Sequence, residues 1–166
     1  MSFNDHYGPV GIANPITEKR LSGYLKETEK VQKKVGTKVY SGLEIDITKE
    51  GKLALPKKYH KQLDVVIASV HVAINMKEPE MTKRVVTALE NYEIPILGHP
   101  MDRILNVRPP LQLNMDKVFS TAKERGTFLE INAQPKRMDL DGDKIISASK
   151  HGCEFALSTD AHSVQG

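Results

Sequence analysis

Five polar residues recur along this chain at a nearly constant interval: Glu44, His71, His99, Glu130 and Asp160, separated by 27, 28, 31 and 30 residues. A helix face cannot produce so long a period. About 30 residues is what one strand and its crossover helix need. Each of the five lies at or just past the end of an extended apolar run. Val39 to Ile47, Asp64 to His71, Ile94 to Gly98, Thr127 to Asn132 and Cys153 to Thr159 read as strands. They are rich in β-branched and apolar residues, the pattern of strands covered on both faces.

Helical patterns fill the intervals. Leu21, Tyr24, Leu25, Thr28 and Val31 follow a 3.6-residue period between Thr17 and Lys34, with Gly36 at the expected stop. Met81, Val85 and Leu89 mark a helix from Glu78 to Asn91. Asn114 is a good N-cap for a helix with inner residues Met115, Val118, Phe119 and Ala122, closed by Gly126. A last helix is expected from Asp141 to His151. Alternating strands and helices predict an α/β fold with a parallel sheet or barrel. In such folds the carboxyl ends of the strands converge on one rim, where ligands bind.

The convergence gives chemical meaning to the residue types. Imidazoles and carboxylates on one rim are ligands for divalent metals such as Zn²⁺, Mn²⁺ or Fe. Of the six histidines, His6, His71, His99 and His162 stand at strand ends or beside carboxylates. His60, among lysines, reads as a solvated surface residue, and His151, before Gly152, as a cation favoured at a helix C-terminus. A cluster of two or three ions suits phosphoester hydrolysis by activated water, so no Ser or Cys nucleophile is required. Cys153 reads as a small core residue; a single cysteine excludes an internal disulfide and suits a reducing, cytoplasmic setting. With 24 Lys/Arg against 21 Asp/Glu there is no polybasic arm, and nothing approaches a membrane span or a signal peptide.

Six short segments follow one another in order: Asn4-Asp5-His6, Gly42-Leu43-Glu44-Ile45-Asp46-Ile47, Ala68-Ser69-Val70-His71, Leu97-Gly98-His99-Pro100, Leu129-Glu130-Ile131-Asn132-Ala133 and Ser158-Thr159-Asp160-Ala161-His162-Ser163. They resemble successive motifs of the PHP (polymerase and histidinol phosphatase) domain, above all the version at the C-terminus of family X DNA polymerases. The resemblance implies a TIM-like (β/α)7 barrel with a trinuclear metal site, loaded with Mn or Zn, on its C-terminal rim. It implies that His6 and His162 share one ion, that Glu44 bridges two, that His71 and His99 hold the second, and that Asp160 binds the first. Asp5, Glu130 and Asn132 are expected to support these ligands from behind, and Arg103 and Arg137 to contact a substrate phosphate.

The implied activity is hydrolysis at DNA 3′ ends, of the 3′-5′ exonuclease and 3′-phosphatase type. The alternatives are a small-molecule phosphatase like the histidinol phosphatases, or a non-catalytic remnant that binds DNA or supports a polymerase. Three departures from the motif pattern stand out. No His-x-His, the usual first motif, occurs among the 166 residues; the chain continues only four residues past His162; and Asp102 stands where a glycine usually precedes Arg103. A seven- or eight-unit barrel takes roughly 200 to 250 residues. The expectation is therefore a single partial PHP domain over residues 1–166, with missing strands supplied elsewhere, that binds metal but has little hydrolytic activity alone.

Overall fold

The computed structural model describes residues 2–9 and 15–163. Six strands, β1 (Ser2–Tyr7), β2 (Tyr40–Asp46), β3 (Val65–Ser69), β4 (Ile96–Leu97), β5 (Phe128–Asn132) and β6 (Phe155–Ser158), form one sheet in strict chain order, every neighbouring pair parallel. Four helices, α1 (Glu18–Gln32), α2 (Glu78–Asn91), α3 (Met115–Arg125) and α4 (Gly142–Lys150), alternate with them. The sheet is curled into part of a barrel. Its two outer strands approach at the rim, where His6 on β1 and His162 beyond β6 bring their Nε2 atoms within 3.4 Å.

Strand alternation divides the sheet into two chemistries. On β2, Leu43 and Ile45 are fully buried in the core, as is Ile47 just past its end, while Glu44 and Asp46 point to the other face. Val66, Ala68, Leu97 and Leu129 continue the apolar layer, and Met81, Val85 and Leu89 of α2 and Val118, Phe119 and Ala122 of α3 pack against it. Cys153 lies in this core with its Sγ 3.3 Å from the Phe119 carbonyl, and burial pushes the thiol pKa up.

Local signals act as the sequence predicts at several helix ends. Asn114 accepts a hydrogen bond from Lys117 N at 3.0 Å, and Gly126 takes a left-handed φ of 67° to end α3. Asp141 caps α4 through Lys144 N. His151 closes α4 with its Nδ1 2.9 Å from Ser147 O.

Three expectations change. β1 was not anticipated, because its interior positions are Asn4 and His6 and its outer ones are exposed Phe3 and Asp5. A strand whose inward face is polar has no apolar alternation to read. β4 shrinks from the expected Ile94–Gly98 to two residues, since Pro95 has no N–H to give the ladder. His60 is not freely solvated: it sits in a short 3₁₀ helix (Lys57–Gln62), half-buried, with Nε2 2.8 Å from the Leu55 carbonyl.

Candidate metal centre

The register of the sheet explains why distant residues meet. His6 on β1 pairs directly with Glu44 on β2. His71 and His99 each stand two residues beyond the last residue of β3 and β4, so both reach back over the same rim. Gly98 permits the approach: a Cβ there would overlap Ser69 Oγ and crowd Ile67. Three residues of this rim, His99, Asp102 and Asp160, carry positive φ of 22°, 45° and 49°. Non-glycine residues held in this way concentrate where a site over-determines its backbone.

Glu44 is the hub. Its Oε1 lies 2.8 Å from His99 Nε2 and 3.1 Å from His71 Nε2, and its Oε2 lies 3.5 Å from His6 Nδ1. Burial alone would raise the Glu44 pKa, but the contacts from His71 and His99 outweigh it and hold the carboxyl well below the usual range. The reverse holds for the imidazoles. Burial works against charge on His71, yet Asp46 and Glu44 push its pKa up to about 9. His99 is raised as well, Glu44 overcoming its burial, whereas for His6 burial prevails and lowers the pKa.

A metal fits this set. Ligand atoms of His6, Glu44 and His71 all lie within 4.8 Å of one another. His6 Nδ1, His71 Nε2 and His99 Nδ1 are buried with no hydrogen-bond partner. Buried polar atoms are normally satisfied, and the two orphaned nitrogens of His6 and His71 beside the Glu44 carboxylate form a donor set for a cation; the orphaned His99 Nδ1 points away from Glu44, which meets His99 through Nε2. A divalent ion among them would bring the positive charge that the carboxylates otherwise draw from imidazole protons.

Asp160 and His162 form the flank. His162 Nδ1 is 3.6 Å from Asp160 Oδ1, and its Nε2 faces His6. Asp160 Oδ2 accepts from Asn132 Nδ2 at 3.1 Å and from Arg137 Nε at 3.0 Å. Glu130 is buried and takes no place in the imidazole cluster. It accepts the His99 backbone N–H at 2.6 Å and the Ser158 hydroxyl, fixing the loop that carries His99.

Two expected roles do not survive the geometry. Asp5 is exposed and, one residue from His6, projects from the opposite face of β1, away from the cluster. Arg103 spends its guanidinium on the Arg137 and Met138 carbonyls and on Asp141, as a strut within its own loop. Its acidic partner is Asp141. Arg137 does reach the rim, bridging Asp160 and Asp102. Sequence reasoning overlooked Asp46, which is fully buried and accepts the His71 backbone N–H at 2.9 Å with its Oδ1 3.3 Å from His71 Nδ1. The signal was its place two residues after Glu44 on one strand face. Arg84 was invisible: it lies on α2, yet its buried guanidinium binds the carbonyls of Ile47 and Val72, tying the ends of β2 and β3 together.

These features have counterparts among known proteins. No protein-family model matches the chain. It is 31% identical over 166 residues, 99% of its length, to DNA polymerase/3′-5′ exonuclease PolX of Bacillus subtilis. It is 32% identical over 137 residues, 76% of its length, to a probable phosphatase of Thermoanaerobacter sp.. The histidinol phosphate phosphatase of Lactococcus lactis, solved with zinc, L-histidinol and phosphate, shares its fold at a TM-score of 0.61 and 17% identity, over 97% of this chain and 73% of that one. The chain is a PHP-type domain. It spans 29% of the polymerase and 54% of the probable phosphatase. Among the described residues of this PHP domain, no helix is long and apolar enough to cross a membrane.

Proposed function

We propose that this PHP domain is a metal-dependent phosphoesterase whose substrates are phosphorylated DNA 3′ ends. One observation carries the reading: Glu44 stands among His6 on β1 and His71 and His99 just past β3 and β4, with orphaned nitrogens of His6 and His71 beside its carboxylate. Alignment of 99% of the chain with part of a polymerase/3′-5′ exonuclease supports a DNA end as the substrate.

In this reading His6, Glu44 and His71 hold one divalent ion, zinc or manganese, and His99 braces Glu44 or joins it as a ligand. Asp160 and His162 serve a neighbouring position beside His6. Bound ions would lower the pKa of a coordinated water and neutralise charge on the phosphoryl oxygens. The chain's own groups do the rest. Glu130 and Asp46 fix the His99 and His71 loops through backbone N–H groups. Arg137, charged at all physiological pH and oriented by Asp160, presents a guanidinium at the rim for a phosphate oxygen.

The test is metal content and hydrolysis together. Purified protein should retain zinc or manganese and release phosphate from a 3′-phosphorylated oligonucleotide faster than from histidinol phosphate. Glu44→Gln should lose both metal and turnover. Wild-type protein with no bound metal after dialysis against micromolar zinc and manganese would sink the metal reading. Preference for histidinol phosphate would move the substrate to the small-molecule class.

A further inference from the structure

Behind His99, on the side away from Glu44, stands a second carboxylate. Asp102 is 1% exposed, and its Oδ1 lies 3.5 Å from His99 Nδ1, 2.7 Å from Arg108 Nη2 and 2.9 Å from Arg137 Nη1. Arg108 Nε also donates to the Asp102 carbonyl at 2.8 Å. The backbone at Asp102 has a φ of 45°, a conformation that glycine adopts freely and other residues adopt reluctantly. An aspartate in a glycine's conformation, buried and drawing two guanidiniums onto one oxygen, is a placement with a purpose.

We propose that Asp102 is a positioning residue: it orients the His99 ring through Nδ1 and holds Arg137 against Asp160. The inference rests on the metal-dependent reading above. His99 has two ring nitrogens. Nε2 faces Glu44 at 2.8 Å, and Nδ1 is buried with Asp102 Oδ1 3.5 Å away. A carboxylate facing Nδ1 favours the proton on that nitrogen and leaves the Nε2 lone pair for a cation. Asp46 stands in the same relation to His71, with Oδ1 3.3 Å from Nδ1. The two histidines nearest Glu44 are thus each backed by a buried aspartate.

Asp102 also governs the other half of the rim. Arg137 Nη1 binds Asp102 while its Nε binds Asp160. A planar guanidinium pinned at two points cannot swing, so Asp160 keeps one orientation toward His162. Arg108 supplies a second guanidinium against the buried Asp102 carboxylate, at 2.7 Å.

Two variants test the proposal. Asp102→Gly suits the left-handed backbone and removes only the carboxylate; Asp102→Asn keeps one acceptor oxygen. Zinc affinity by chelator competition should fall about 10- to 100-fold in Asp102→Gly and less in Asp102→Asn. In the zinc-loaded wild type, NMR should show a slowly exchanging His99 Nδ1–H that disappears in Asp102→Gly. Exposed Asp143→Asn should change neither. If Asp102→Gly binds zinc within twofold of wild type and keeps the signal, the proposal fails, while loss of zinc in His71→Ala would leave the metal reading standing. If the wild type binds no zinc, the metal reading fails, and slow exchange of the Arg137 Nε–H decides Asp102 by itself. Loss of that protection in Asp102→Gly supports the positioning role, and unchanged protection overturns it.

Discussion

Asp139 offers a quantitative test of how this rim is assembled. Its carboxyl is fully buried, and burial raises its pKa from 3.8 to about 6, although the Met101 N–H, His99 and Arg103 all favour the ionised form. Met101 N lies 3.1 Å from both carboxylate oxygens. The sign of the stability effect follows from linkage. Below about pH 4 the carboxyl is neutral in both folded and unfolded chains, and Asp139 has no pH-dependent cost. Between about pH 4 and 6 the unfolded chain ionises first while the folded protein keeps its proton, so stability falls as pH rises. Above pH 6 the whole penalty applies. A rise of roughly two pKa units corresponds to about 3 kcal/mol. Asp139→Asn removes the titration and keeps an oxygen for Met101 N. Urea unfolding of both proteins across the range from about pH 3.5 to 8 should show the variant gaining about 3 kcal/mol on the wild type between pH 4 and 7. Curves that stay parallel through that range would refute the argument, because they would mean that burial does not hold the proton on Asp139.

Two further substitutions probe the scaffold. Arg84→Ala strands the Ile47 and Val72 carbonyls and opens a hole beneath α2; chemical denaturation should report a loss of about 3 to 5 kcal/mol. Gly98→Ala drives a methyl into Ser69 Oγ. It should cost about 1 to 3 kcal/mol in the same assay and weaken zinc binding, since His99 is the next residue.

Much of this architecture could be read in advance because its signals are local or periodic. The α2 boundaries, the Asn114 cap and the Gly126 stop follow from side chains acting on their own turn of helix. The 30-residue recurrence of Glu44, His71, His99, Glu130 and Asp160 named residues on one rim because parallel α/β units repeat at that length. The failures share a cause. β1 was missed since a strand lined by Asn4 and His6 shows no apolar period, and Arg84 since a helical arginine normally faces water. Arg103 and Arg137 looked equivalent as basic residues after a motif. Only the path of the loops sends one to Asp141 and the other to Asp160.

The sequence by itself determined which residues are candidates, because strand period, crossover length and capping chemistry are properties of short stretches of chain. Tertiary structure alone decided what each candidate does. Whether a carboxylate is a hub, a brace or a bystander depends on which atoms burial brings within about 3.5 Å of it, a distance set by hydrogen bonding and not by spacing in the chain. Glu44, Glu130 and Asp5 were alike as acidic residues in motifs. The curl of the sheet put the first among three imidazoles, the second under the backbone of His99, and the third in water.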